Sequence, residues 1–301
     1  MLAHVSPIPR LGVDRDVQSS HVWTIVLTGD TRPAPGGTRR QGCRTASRWP
    51  APVSARVRHT LERVARLSPA GQMFAVVTRR QAAAWDSELA VVPSIRRVVQ
   101  PVYRGRAAEL LLPLLRITGR DPSATVVVLP MDHRVDHGVR FLRYVRRAVW
   151  AVAVRPEVPI LIGAHPHTAV ADGWIEPGAP VDGLEDLAVH TVKRFVDDAS
   201  AAERRRLFES SALVSTSIFV ARAGTLLSLA QRALPEVLEA LEPLETTFDR
   251  SEEELLCEAV YECMPRDGLA QLERAPELGV LALPDIVWRA PERPELELLA
   301  G

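Results

Sequence analysis

Compact apolar runs alternate with amphipathic stretches along the first half of this chain. Val126-Val127-Val128-Leu129 is continuously apolar, the pattern of a strand buried on both faces. Residues 21–27, 74–78, 95–100 and 159–163 read as further strands. Between them, 53–67 places Val57, Leu61, Val64 and Leu67 on one helical face, and 141–154 carries a similar stripe. Residues 107–117 also read as a helix, with a kink expected at Pro113. Strands and helices in this alternation imply parallel βαβ units with right-handed crossovers. After residue 165 the pattern changes. Shorter strands are expected at 173–178, 188–195, 217–221 and 279–283, with helices at 201–208, 224–241 and 252–264. Residues 1–20 lack periodicity and read as a loose tail, and no linker divides 21–301, so one domain is expected there. Residues 33–52 are rich in Pro, Gly and Arg and read as a long loop of the functional or disordered kind.

Charge and cysteine usage narrow the class. Lys+Arg and Asp+Glu both number 37, so no global positive field points to nucleic acid, and the arginines around 39–58 have only Trp49 as an aromatic neighbour. The distribution is uneven, with arginines crowding the first half and glutamates residues 235–300. Cys43, Cys257 and Cys263 have no metal-ligand spacing, and their odd number suits a reducing compartment. Residues 22–27 are too short to span a bilayer and the N-terminus shows no signal-peptide core, so a cytoplasmic protein without membrane attachment is expected. His133, His137, His165 and His167 match no helical zinc-ligand spacing and read as loop histidines.

The candidate chemistry begins where the 126–129 run breaks at Pro130 and presents Asp132 and His133. In open α/β sheets, ligands sit beyond the carboxyl ends of the strands. A carboxylate there can hold Mg²⁺ against a phosphate, because hard oxygen ligands suit that ion. The plain alternative is a strand end at which Asp132 and His133 simply begin a loop. Asp136 reads as a helix N-cap or loop residue before Phe141.

Several short segments, in order, resemble the mannose-1-phosphate guanylyltransferases. Val26-Leu27-Thr28-Gly29 is similar to the opening Leu-Ala-Gly-Gly of that family. Gln100-Pro101-Val102-Tyr103-Arg104-Gly105 resembles its Gln-Pro-x-Asn-Arg-Gly, and Pro130-Met131-Asp132-His133 its Pro-Ser-Asp-His. Gly173-Trp174-Ile175-Glu176-Pro177-Gly178 resembles its Gly-Tyr-Ile-Glu-Pro-Gly, and Val192 to Phe195 the strand before its Glu-Lys-Pro. The resemblance spans about residues 22–290 and implies a Rossmann-like, GT-A-like α/β nucleotidyltransferase domain with a mainly parallel mixed central sheet flanked by helices. It implies transfer of GMP from GTP to mannose 1-phosphate, giving GDP-mannose and pyrophosphate. In that scheme Asp132 coordinates Mg²⁺, with Arg40 a further catalytic cation. Leu27, Gly29, Arg32, Gln100, Arg104 and Gly105 line the nucleotide, and Gly173, Glu176 and Ser215 the sugar. Lys193 or Arg194 approaches a phosphate, and strand alternation allows only one of them.

The chain also departs from that pattern. Asp30 follows Gly29, and a carboxylate there would repel a triphosphate. Arg39-Arg40-Gln41 stands for Pro-Lys-Gln, although arginine and lysine are not interchangeable at a positioned phosphate. Asp198 occupies the lysine position of Glu-Lys-Pro, Val214-Ser215-Thr216 stands for Trp-Asn-Ser, and Trp288-Arg289-Ala290 lacks the second metal aspartate of Trp-Ser-Asp. Losing one transition-state electrostatic contact typically costs about 3–4 kcal/mol in barrier. Three readings stay open: a divergent working transferase; an inactive homologue that binds nucleotide or sugar nucleotide, or regulates or assembles with an active paralogue; and a related transferase with another substrate or a scaffold without a ligand, with a homo-oligomer or a paralogue partner open in each.

Overall fold

A computed structural model describes residues 20–29, 53–69, 71–90, 92–131, 134–167, 173–248, 250–266, 268–284 and 286–289. The tail up to residue 19, the arginine-rich loop and the last residues lie outside this set. Strands β1 (Val22–Leu27), β2 (Met73–Thr78), β3 (Ile95–Gln100) and β4 (Thr125–Pro130) form an all-parallel half in the order β3-β2-β1-β4. Every residue of β1, β2 and β4 is buried, which is why these strands are apolar throughout: helices cover both faces. The outermost strand, β3, exposes Arg96 and Arg97, charges that discourage a further strand from pairing there.

Helices α1 (Val53–Val64), α2 (Arg79–Leu89), α3 (Arg106–Arg120) and α4 (Gly138–Val154) accompany this half. The strands expected from periodicity form, but α2 is a helix that periodicity does not predict. Its signal is the Thr78-x-x-Gln81 pair, where Gln81 Oε1 accepts from both Thr78 N and Thr78 Oγ1 at 2.8 Å. Helix α3 is continuous through Pro113; all residues from Ala107 to Leu115 are buried, and packing carries the helix across the missing backbone donor.

The second half is built differently. Strand β9 (Leu213–Arg222) lies antiparallel to β4, and β6 (Ile160–Ala164) flanks its other side. From β6 the sheet continues through β10 (Gly279–Leu283), β8 (Val189–Val196) and β7 (Trp174–Pro180), and β7 pairs back onto β9. Five strands therefore close on one another. The mainly parallel sheet expected from sequence is thus corrected: four of the nine pairings within the large sheet are parallel. Strand β9 makes this possible by serving β7 at its start, where Val214 faces Trp174, and β4 at its end, where Arg222 faces Thr125. A register shift between Ile162 and Gly163 accompanies the change. Two short strands, β5 (Arg134–Val135) and β11 (Trp288–Arg289), pair just beyond the end of β4.

Helices α5 (Ala201–Glu209), α6 (Ala223–Ala233), α7 (Pro235–Leu241), α8 (Glu253–Cys263) and α9 (Ala270–Glu273) complete the chain. The single helix expected at 224–241 is two, because Leu234 leaves helical geometry (φ −136°, ψ 47°) ahead of Pro235, which starts the second. Each face of the sheet has its own core. Leu61, Trp85, Phe141 and Val145 pack on one face; Leu110, Leu114, Leu229, Val237 and Tyr261 pack on the other. No described helix is long and apolar enough to cross a membrane.

Candidate functional site

Leu27 and Gly29 stand at the carboxyl tip of β1, and Gln100, Arg104 and Gly105 at and after the tip of β3, on the far side of β2. Thr28 Oγ1 donates to Val76 O at 2.6 Å and ties the tip of β1 to β2. Gly29 follows with φ 64°, and its two backbone polar groups are taken. Gly29 N donates to Glu109 Oε1 at 2.8 Å, while Gln81 Nε2 donates to Gly29 O at 2.9 Å. The amide expected to approach a phosphate thus holds a carboxylate from α3. Glu109 is 1% exposed, and no feature of helical periodicity marks it, because it sits on an otherwise apolar stripe.

Gln100 closes β3 at 1% exposure, and its buried Nε2 makes no well-formed hydrogen bond, with the Tyr261 phenol as the polar group set against it. Such a donor is the kind that a ligand carbonyl or an ordered water satisfies. Tyr261 of α8 lies beside Gln100 and Glu109, and burial holds its phenol well above the usual value. Arg104 turns away from the strand tips: Nε donates to Tyr261 O at 2.6 Å and Nη2 to Glu262 O at 2.9 Å. Those are the terminal carbonyls of α8, where a cation is favoured. Gly105, with φ 102°, then caps α3 in a conformation that suits glycine.

The sugar-side residues meet around the junction of β7 and β9. Gly173 has φ 69°, and Ser215 N donates to Gly173 O at 2.7 Å. Ser215 Oγ donates to Glu273 Oε1 at 2.8 Å and accepts from Ser217 N at 3.0 Å. Its hydroxyl is therefore a strut within the sheet. Ser217 adopts φ 52°, rare for a residue with a side chain. Sequence reasoning misses Glu273, since a single Glu in a glutamate-rich region carries no signal.

Burial pushes the Glu273 carboxyl above its usual value, with Asp197 adding to the rise; the Ser215 and Ser217 side chains and Arg106 oppose it. A raised carboxyl value means that its contribution to stability is full below the unfolded-state value and is lost as pH rises through the folded-state value. Glu273→Gln is expected to flatten the pH dependence of the urea midpoint from mildly acidic to neutral pH, with stability at neutral pH equal to or above wild type. A variant whose profile keeps the wild-type slope would assign the dependence to another group.

Glu176 on β7 faces Arg194 on β8. Arg194 Nη2 lies 2.9 Å from both Glu176 Oε1 and Glu203 Oε1, and Arg206 lies 3.6 Å from Glu176. Of Lys193 and Arg194, the arginine is therefore the one directed at Glu176. Asp197 pairs with Arg274 at 2.7 Å, while Asp198 is exposed with φ 50°. Of the two roles expected for Asp136 the structure has the loop one, since the N-cap position of α4 is His137.

Asp132, His133, Arg32, Arg40 and Asp30 lie outside the described residues. Among the described residues no group of three or more His, Cys, Asp or Glu side chains could hold a metal ion.

No protein-family model matches the chain, and no curated relative matches it. Solved structures that resemble it in fold include the following two. One is described as a mannose-1-phosphate geranyltransferase from Thermus thermophilus, with 23% identity, a TM-score of 0.69, and 89% of this chain and 76% of that one covered. The other is described as a mannose-6-phosphate isomerase from Helicobacter pylori, with 14% identity, a TM-score of 0.68, and 89% and 99% covered. At these identities the shared property is the fold: a mixed sheet, flanked by helices, common to this chain and two proteins named for sugar phosphates.

Proposed function

We propose that this chain is a sugar nucleotidyltransferase of the GT-A-like, Rossmann-like type, whose site runs from the tips of β1 and β3 to the β7–β9 junction. The reaction is attack of mannose 1-phosphate on the α-phosphorus of GTP, forming GDP-mannose and releasing pyrophosphate. The observation that carries the reading is the buried Gln100 side chain at the end of β3, in the segment expected to meet the base, whose Nε2 has only the Tyr261 phenol against it. Gly29 and Gly105, in the other two segments expected to meet the nucleotide, have backbone angles that suit glycine. Gly173 and Glu176 would face the sugar. Mg²⁺ would neutralise phosphate charge, with Asp132 and substrate oxygens as ligands. Arg32 and Arg40 would supply cations to the triphosphate.

The Glu109–Gly29 contact favours a second reading, in which the chain holds a nucleotide sugar with little or no turnover. Titration calorimetry with GTP and GDP-mannose tests the common part of both. Wild type is expected to bind at least one of them, and Gln100→Ala to weaken that binding about tenfold, the scale of one lost buried hydrogen bond. Equal affinity in the variant would remove Gln100 from the site, and failure of wild type to bind either ligand would sink both readings.

A further inference from the structure

Helix α4 carries Arg140, Arg143, Arg146 and Arg147 and no aspartate or glutamate. The first three are exposed and follow at every third residue, on the face opposite buried Phe141, Leu142 and Val145. Arg143 makes no ion pair with a described residue, and Arg146 donates to the backbone of Arg66 at 2.7 Å rather than to a carboxylate. Across the sheet the sign reverses. Glu236 and Glu239 on α7, then Glu242 and Glu245 on the 3₁₀ turn that follows, are all exposed at the same three-residue spacing, without an intervening lysine or arginine. None of these glutamates is ion-paired with a described residue. The α4 helix packs in the core on one face of the sheet and α7 in the core on the other.

We propose that the arginine face of α4 docks the glutamate face of α7 of a second copy of this chain. The two stripes are opposite in sign and share the three-residue spacing, and every molecule presents both. The formal net charge is zero, so no long-range field draws a polyanion to the arginine face in preference to the glutamate face of another copy. Because the stripes lie on opposite faces, the contact is heterologous, and copies add head to tail. Exposed ion pairs are individually weak, so the association is modest and salt-sensitive.

Sedimentation velocity of the full chain tests this independently of any ligand. Wild type is expected to show mass rising with protein concentration at about 50 mM NaCl and to be monomeric at about 500 mM, where charges are screened over a few ångströms. Arg143→Glu/Arg146→Glu and Glu239→Arg/Glu242→Arg should each be monomeric at low salt. Mixed together they should associate again, since the intact α4 face of one meets the intact α7 face of the other and the two reversed faces are themselves opposite in charge. A wild-type monomer at low salt, or a mixture that stays monomeric, would overturn the proposal. So would arginine-dependent binding to single-stranded DNA or anionic vesicles without self-association, which would give the arginine face a polyanion instead.

Discussion

Replacing Glu109 with glutamine is expected to tighten GTP binding by about tenfold or more. The carboxylate sits on the Gly29 amide at 2.8 Å, at the strand tip where the triphosphate would lie. Two like charges about 4 Å apart at an effective dielectric near 20 repel by about 4 kcal/mol, and tenfold in affinity corresponds to about 1.4 kcal/mol. Even a more distant phosphate therefore meets a penalty large enough to measure. Glutamine keeps the oxygen that accepts from Gly29 N and removes the charge, so it isolates electrostatics from blockage of the amide. Glu109→Ala removes both, and any gain beyond that of glutamine measures the freed amide. Calorimetry reads the two differences. Unchanged affinity in both variants would place the triphosphate away from Gly29.

Gly163→Val is expected to destabilise the fold by about 2–3 kcal/mol, lowering the melting temperature by about 5–10 °C. A Cβ at Gly163 would meet Leu213 Cδ1 at 2.8 Å, Leu213 Cβ at 3.0 Å and Val280 Cγ2 at 3.3 Å. Leu213 and Val280 are 2% and 1% exposed and cannot swing into solvent. Gly163 also faces Ser215 across the register shift that lets β9 serve both β7 and β4. The larger side chain would thus strain the place where the sugar-side strands join the parallel half. Gly163→Ala should cost about 1 kcal/mol, the methyl group being smaller than the isopropyl. Chemical denaturation checks both; a valine variant within about 0.5 kcal/mol of wild type would show that the junction repacks freely.

The parallel half was legible because its strands are apolar at consecutive positions and its helices carry one apolar stripe each. Period and length suffice there. The closed half was not, because the return of β7 onto β9 depends on pairing between segments about forty residues apart, which no local pattern records. Helix α2 escaped because its short run Arg79–Leu89 has a polar composition and a cap made by a threonine counted as strand. At the site, motif order singled out Gly29 and Gln100, at the ends of β1 and β3, and Gly173 and Ser215, where β7 meets β9. What it could not supply was the partner of each: Glu109 for Gly29, the α8 carbonyls for Arg104, Arg194 for Glu176 and Glu273 for Ser215. Those partners come from elements distant in sequence, and three of the four are ordinary charged residues in helices or strands.

The most direct test of the central claim is pyrophosphate release from GTP and mannose 1-phosphate with Mg²⁺, measured for wild type and Asp132→Asn side by side. The site proposed here predicts slow release that requires mannose 1-phosphate and falls to background in the variant. Release that is equal in wild type and Asp132→Asn, or none above background from a folded wild type that binds GTP, would contradict a working transferase.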